Sequence, residues 1–331
     1  MNQTIILEKR PIGKPQVSDF KFVNEAMPEI GNGELLLKTA YVSVDPYLRG
    51  RMIDAKSYAA PFQLNEAITS GIVAEVIESK VEGFSKGDFV SGALAWKEYQ
   101  KSDGQGLNKV SPANAPLSAY LGVLGMTGLT AYLGLNEIGK PKAGETLVVS
   151  GAAGAVGSIV GQIGKLLGCR VVGIAGTDEK VAMLKEKYGF DEGINYNTTE
   201  NMKEAIATIC PDGVDIYFDN VGGSISDGVL ANINKFARIV VCGSISVYNE
   251  TSMPMGPRVE STLVKNSALM QGFIVGNYAA KFPEAITNLA GWLKEGKLTY
   301  SETIVEGFEQ IPQAFIGLFE GKNNGKMIVK I

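Results

Sequence analysis

The stretch Glu145-Thr-Leu-Val-Val-Ser-Gly-Ala-Ala-Gly-Ala-Val-Gly-Ser158 decides how this chain is read. An apolar run of strand length meets three glycines, Gly151, Gly154 and Gly157, at three-residue spacing, and an apolar helical pattern follows. Small residues at such a junction let the backbone turn tightly and approach a diphosphate, whose charge is favoured at the positive end of the helix dipole. Against the G-x-G-x-x-G fingerprint the spacing reads Ala152-x-Gly154-x-x-Gly157, so alanine replaces the first glycine. Small residues at a strand–helix turn also serve close packing, and the surrounding pattern has to decide between the two uses.

That pattern alternates. Strand signals at 169–175, 193–195, 214–219 and 237–242 are separated by helix signals at 178–188, 201–210 and 226–235, with Gly168 and Gly189 as helix stops. Alternation of this kind predicts a parallel, doubly wound sheet that binds its ligand beyond the carboxyl ends of its strands. Upstream, runs at 33–44, 71–78 and 81–90 carry strand alternation and turn glycines, which predicts a short-stranded barrel or folded sheet. A chain of 331 residues is long enough for two such domains, each with its own core.

Composition narrows the function. The 31 basic and 35 acidic residues give a net charge of -4 without long runs, so neither a basic stripe for nucleic acid nor a polybasic patch for anionic lipid is present. The first ten residues hold too short an apolar stretch for a secretory signal, and the expected location is the cytoplasm. Residues 110–136 are uncharged, but Pro112, Pro116 and the glycines at 122, 125, 128 and 134 argue against a membrane span. A buried pair of helices at 116–124 and 129–135, joining two domains, is expected there instead. Cys169, Cys210 and Cys242 stand apart from one another and read as buried packing residues rather than a disulfide or a metal site.

The chain has no histidine. Histidine-dependent triads are therefore excluded, and a zinc site would need scattered cysteines and carboxylates, so no metal is expected. A proton donor near neutral pH must be a tyrosine, a lysine, a carboxylic acid or water.

Several motifs together resemble the medium-chain dehydrogenase/reductase superfamily. Gly125-Met-Thr-Gly-Leu-Thr-Ala-Tyr132, the Ala-Ala-Gly-Ala-Val-Gly turn and the C-terminal strand returning to the first domain follow its order of parts. Val44-Asp-Pro-Tyr-Leu-Arg-Gly-Arg-Met52, Asp219-Asn-Val-Gly-Gly223, Cys242-Gly-Ser-Ile-Ser-Val-Tyr-Asn249 and Gly325-Lys-Met-Ile-Val-Lys330 resemble its zinc-free branch. That branch contains prostaglandin reductases, plant double-bond reductases and bacterial curcumin reductases. The resemblance covers nearly the whole chain and implies an α/β fold: a GroES-like β-rich domain at 1–126, a Rossmann NADP-binding domain at 127–298, and a return to the first domain at 299–331. It also implies a homodimer, paired along a strand at 268–273.

The implied activity is NADPH-dependent reduction of the carbon–carbon double bond of α,β-unsaturated ketones and aldehydes. An NADPH:quinone oxidoreductase and a non-catalytic NADPH-binding sensor are the alternatives, and a small-molecule enone, enal or quinone would be the partner. Carried over motif by motif, Gly154, Ala155, Val156 and Gly157 would hold the diphosphate, and Lys180 and Tyr196 the 2′-phosphate end. Asn220, Cys242, Gly243, Ser244, Ile245, Phe273, Ile274, Val275 and Asn323 would line the cofactor. Tyr47 and Tyr248 are the candidate catalytic donors to the substrate oxygen, since a phenol donates while staying neutral near pH 7.

Cofactor preference has a physical reading too. No acid ends the second strand at Ala175 or Gly176, where an NAD site would place one, but Asp178 stands at roughly the ~20-residue spacing the fingerprint allows. Thr177 or Asp178 reads as a helix N-cap, which points Lys180 toward a 2′-phosphate. Arg49 and Arg51 either attract an acidic or oxygenated substrate, pair with acids of the first domain, or serve as surface charge or a loop brace. Mammalian prostaglandin reductases carry a tyrosine in the region of Lys265, and the lysine here favours a general bacterial-type enone reductase. Pocket size depends on how Tyr58, Trp96, Tyr248, Tyr278 and the loop at 251–257 meet in space, which spacing alone does not place; that loop either shapes or covers the pocket or is a plain connector.

Overall fold

The computed structural model describes all 331 residues. They form two compact units, Met1–Gly122 with Glu302–Asn323 and Met327–Ile331, and Val123–Ser301 with Asn324–Lys326. The first unit is β-rich: β1 (Asn2–Leu7), β2 (Phe20–Glu25), β3 (Leu35–Ser43), one helical turn α1 (Leu48–Arg51), β4 (Thr69–Ser79), β5 (Phe89–Ala95), β6 (Tyr99–Ser102) and β7 (Asn108–Val110). β1 and β2 form an antiparallel ribbon. The remaining strands build a largely antiparallel sheet around a core that includes Leu35, Leu37, Val76, Val90, Trp96 and Phe315.

The second unit alternates as the sequence predicts. Its elements are α2 (Met126–Leu133), β8 (Thr146–Ser150), α3 (Gly157–Leu166), β9 (Arg170–Ala175), α4 (Asp178–Glu186), β10 (Glu192–Asn195), α5 (Met202–Ile209), β11 (Val214–Asp219), α6 (Gly223–Leu230), β12 (Ile233–Val241), α7 (Glu260–Asn266), β13 (Leu269–Gly272) and α8 (Phe282–Lys294). The six strands are parallel in the order β10-β9-β8-β11-β12-β13. Every residue of β8 is buried, as expected of a strand covered on both faces. Chain order reverses between β8 and β11, the place where open parallel sheets bind ligands. The chain ends with β14 (Glu302–Glu306), α9 (Ile311–Leu318) and β15 (Lys326–Lys330), and β15 pairs with β3.

Two expectations need correction. The helix expected at 226–235 is α6, which stops at Leu230, and β12 already begins at Ile233. Asn232 ends the helix: its side-chain amide donates to the carbonyls of Gly228 and Lys203, while its own carbonyl accepts from Val214 N. The helix pair at 116–124 and 129–135 is instead a 3-10 turn at Leu117–Leu121, then α2, then a π-helical turn at Gly134–Gly139. No helix is long and apolar enough to cross a membrane.

Candidate active site

The site is built from the turns that follow the parallel strands, all at one end of the sheet. After β8, Gly151 takes the left-handed conformation (φ 58°), and its carbonyl accepts from Gly154 N at 3.0 Å. A Cβ on Gly157 would collide with that same Gly151 carbonyl and reach 2.8 Å from Ala152 Cα, so only glycine closes this turn. α3 starts directly behind it, and the first amides of a helix have no intrahelical acceptors. Gly154, Ala155, Val156 and Gly157 thus form a tight backbone turn at the start of α3, closed by a bridge from Gly154 to Gly325 and by Gly325 N donating to Ala153 O at 2.8 Å.

After β9, Thr177 caps α4, with its Oγ1 accepting from Lys180 N at 3.2 Å. Lys180 therefore lies in the first turn, and partial burial lowers the pKa of its ammonium. Tyr196 follows β10, is 40% exposed, and is held by its N–H to Ala175 O. A Cβ on Gly176 would lie 2.7 Å from the Tyr196 hydroxyl, so the ring covers the end of β9. Lys180, Tyr196 and Gly176 make one corner of the sheet end.

At the switch point, Asn220 N donates to Ser150 Oγ (2.9 Å) and Asn220 Nδ2 to Ser150 O (2.8 Å), tying β11 to β8. Cys242 N and Gly243 N donate to Asp219 O, and Ile245 N to Asn220 O, which folds the segment after β12 over the same strand end. Ser244 N donates to the Tyr248 hydroxyl at 3.3 Å. Burial raises the Tyr248 pKa, and it pushes the Cys242 thiol up to about 12. Ile274 and Val275 follow β13, and the Phe273 ring packs edge-on to Phe218 and Tyr278. A Cβ on Gly134 would come 2.5 Å from the tip of the Phe273 ring.

Tyr47 and Asn323 lie in the first unit. Tyr47 precedes α1 and packs against the first core; burial, reinforced by Asp45, holds its pKa well above 10.0. Arg49 and Arg51 prove to be braces. Arg49, buried, donates through Nη2 to Gly13 O (2.9 Å) and Pro11 O (3.3 Å). Arg51 donates to Ala60 O and Thr69 Oγ1 and lies 4.0 Å over the Phe62 ring. Trp96 is fully buried in the first core, with Nε1 donating to Ser70 Oγ. The loop at 251–257 is exposed, with Met253 and Met255 at 84% and 91%.

Sequence reasoning missed Asp219. Its Oδ1 accepts from Ser150 Oγ (2.9 Å), Tyr217 OH (2.8 Å), Val221 N (3.0 Å) and Gly222 N (2.9 Å), fixing the strand ends that carry Asn220 and Cys242. An acid closing an apolar strand just before Asn-Val-Gly-Gly was the available signal. No group of three or more Cys, Asp or Glu side chains is placed to hold a metal ion.

Comparison with known proteins identifies the family. A profile described as the N-terminal domain of oxidoreductase matches residues 3–110, and one described as zinc-binding dehydrogenase matches 155–291. The chain is 43% identical to the NADPH-dependent curcumin reductase of Escherichia coli, over 100% of this chain and 97% of that one. It is 46% identical to prostaglandin reductase 1 of Mus musculus, over 98% and 97%. The crystal structure of CurA in complex with NADPH from Vibrio vulnificus superposes with a TM-score of 0.94 at 46% identity, covering 99% of this chain and 98% of that one. Likeness at this level along the whole chain means that the protein belongs to the zinc-free branch of the medium-chain dehydrogenase/reductase superfamily and is an NADPH-dependent oxidoreductase of the curcumin and prostaglandin reductase type.

Proposed function

We propose that the enzyme reduces the carbon–carbon double bond of α,β-unsaturated ketones and aldehydes. The observation that carries this reading is a half-buried phenol, Tyr248, on the segment that folds over the switch point. Its oxygen accepts from Ser244 N, which leaves its own proton to donate. NADPH, held by the Gly154–Gly157 turn, Lys180, Tyr196, Asn220 and the segment 242–245, supplies the hydride that goes to the β-carbon. Negative charge then gathers on the substrate carbonyl oxygen, and a fixed O–H donor aimed at it lowers the barrier. Tyr248 and Tyr47 are the proposed donors, and water protonates the α-carbon.

The pKa directions suit this role. Burial favours the neutral phenol in both residues, so the donor form persists as pH rises and is lost only above the ordinary tyrosine value of 10.0. With no histidine in the chain, no limb near pH 6 to 7 is expected from that residue type. Replacing the principal donor, Tyr47→Phe or Tyr248→Phe, is expected to lower kcat about 100-fold with little change in NADPH affinity. Both variants keeping kcat within about twofold of the parent would remove the tyrosines from the chemistry.

A further inference from the structure

Asp178 is the one acid positioned to contradict NADPH use. It is the first residue of α4, exposed, just beyond the end of β9. An acid in this region accepts the ribose 2′-hydroxyl in NAD sites and would repel a 2′-phosphate. The carboxylate is engaged elsewhere: Asn195 Nδ2 donates to Asp178 Oδ1 at 2.7 Å.

The Asn195 amide is fixed in that orientation. Its Oδ1 accepts from Asn197 N at 3.0 Å, so a flipped amide would lose this bond and turn an oxygen toward the carboxylate. The turn that carries it is tied down as well. Asn197 Nδ2 donates to Gly176 O (2.6 Å), Thr199 Oγ1 to Asn195 O (2.7 Å), and Tyr196 N to Ala175 O (3.0 Å). Asn195 is therefore a rigid donor at the end of β10, facing the acid across two adjacent strands.

We infer that Asn195 is a specificity-determining residue: it ties the Asp178 carboxylate to β10, denies that acid to the 2′-hydroxyl of NADH, and leaves the 2′ position to Lys180. The inference rests on Lys180 being the residue that meets the 2′-phosphate. Asn195 acts through Asp178 and is a positioning residue. Its removal changes no charge, so any shift in cofactor preference reports where the existing carboxylate goes.

The test is a fluorescence titration of NADPH and NADH binding to the parent, Asn195→Ala, Asp178→Asn and the double variant, with kcat on one enone as a second readout. Asn195→Ala is expected to lower the NADPH-over-NADH preference in Kd about five- to tenfold, the scale of one unscreened charge at a solvated site, while kcat at saturating NADPH holds. The double variant is expected to match Asp178→Asn, because without the carboxylate Asn195 has nothing to hold. An unchanged preference in folded Asn195→Ala, or an equal fall with and without Asp178, overturns the inference. Asp178→Asn supplies an independent arm. It is expected to leave NADH binding unchanged, and a sharp loss would mean that the acid already serves the ribose. Lys180→Ala separates the two levels: if it keeps the parent's preference, the 2′-phosphate assignment fails; if it loses it while Asn195→Ala does not, only the role of Asn195 falls.

Discussion

The turn after β8 and the turn after β3 both lead a strand end into a helix, but they hold their shapes by opposite means. In the first, Gly151 and Gly157 work through the side chains they lack: the Gly151 carbonyl fills the space a Cβ on Gly157 would need. In the second, Arg49 and Arg51 reach carbonyls and a ring in other loops, at Gly13, Pro11, Ala60 and Phe62, and Ser43 donates to Asp45 at the strand end. A turn shaped by absence tolerates no added atom. A turn shaped by long side chains tolerates loss in proportion to the bonds removed.

Gly157→Ala should sharpen that difference most. Its methyl group must displace the Gly151 carbonyl, so NADPH affinity is expected to fall at least about tenfold and stability by about 1–3 kcal/mol. Titration and thermal unfolding read both. An alanine variant that binds NADPH as the parent does would show that the turn can relax. Next in size, Arg49→Met removes buried donors to Pro11 and Gly13 and should cost about 2 kcal/mol, leaving NADPH affinity alone. Arg51→Met, on a less buried guanidinium, should cost about 1 kcal/mol. Reversal of that order, or a change in NADPH binding from either, would break the comparison.

The same contrast explains what could be read in advance. The glycine turn was legible because a glycine pattern between a strand run and a helix run is local, and so was a cap at Thr177 or Asp178, which the structure gives to Thr177. A brace was only one of several readings open for the arginines, and its partners were not legible, since Arg49 meets carbonyls 36 and 38 residues away. The end of α6 was missed for a related reason: no glycine or proline marks it, and Asn232 stops the helix partly through Lys203, from another helix. The place of Trp96 was not legible because burial depends on which strands stack, and strand spacing says nothing of that. Asp219 sits at a strand end the sequence located well, yet its four donors come from two strands and the following turn.

Double-bond reduction itself is tested most directly by following deuterium from NADPH labelled at the transferring position of C4 into 3-nonen-2-one. The expected product is the saturated ketone with deuterium on the β-carbon. Deuterium on the carbinol carbon of an allylic alcohol, or turnover of a quinone with none of the enone, would contradict it.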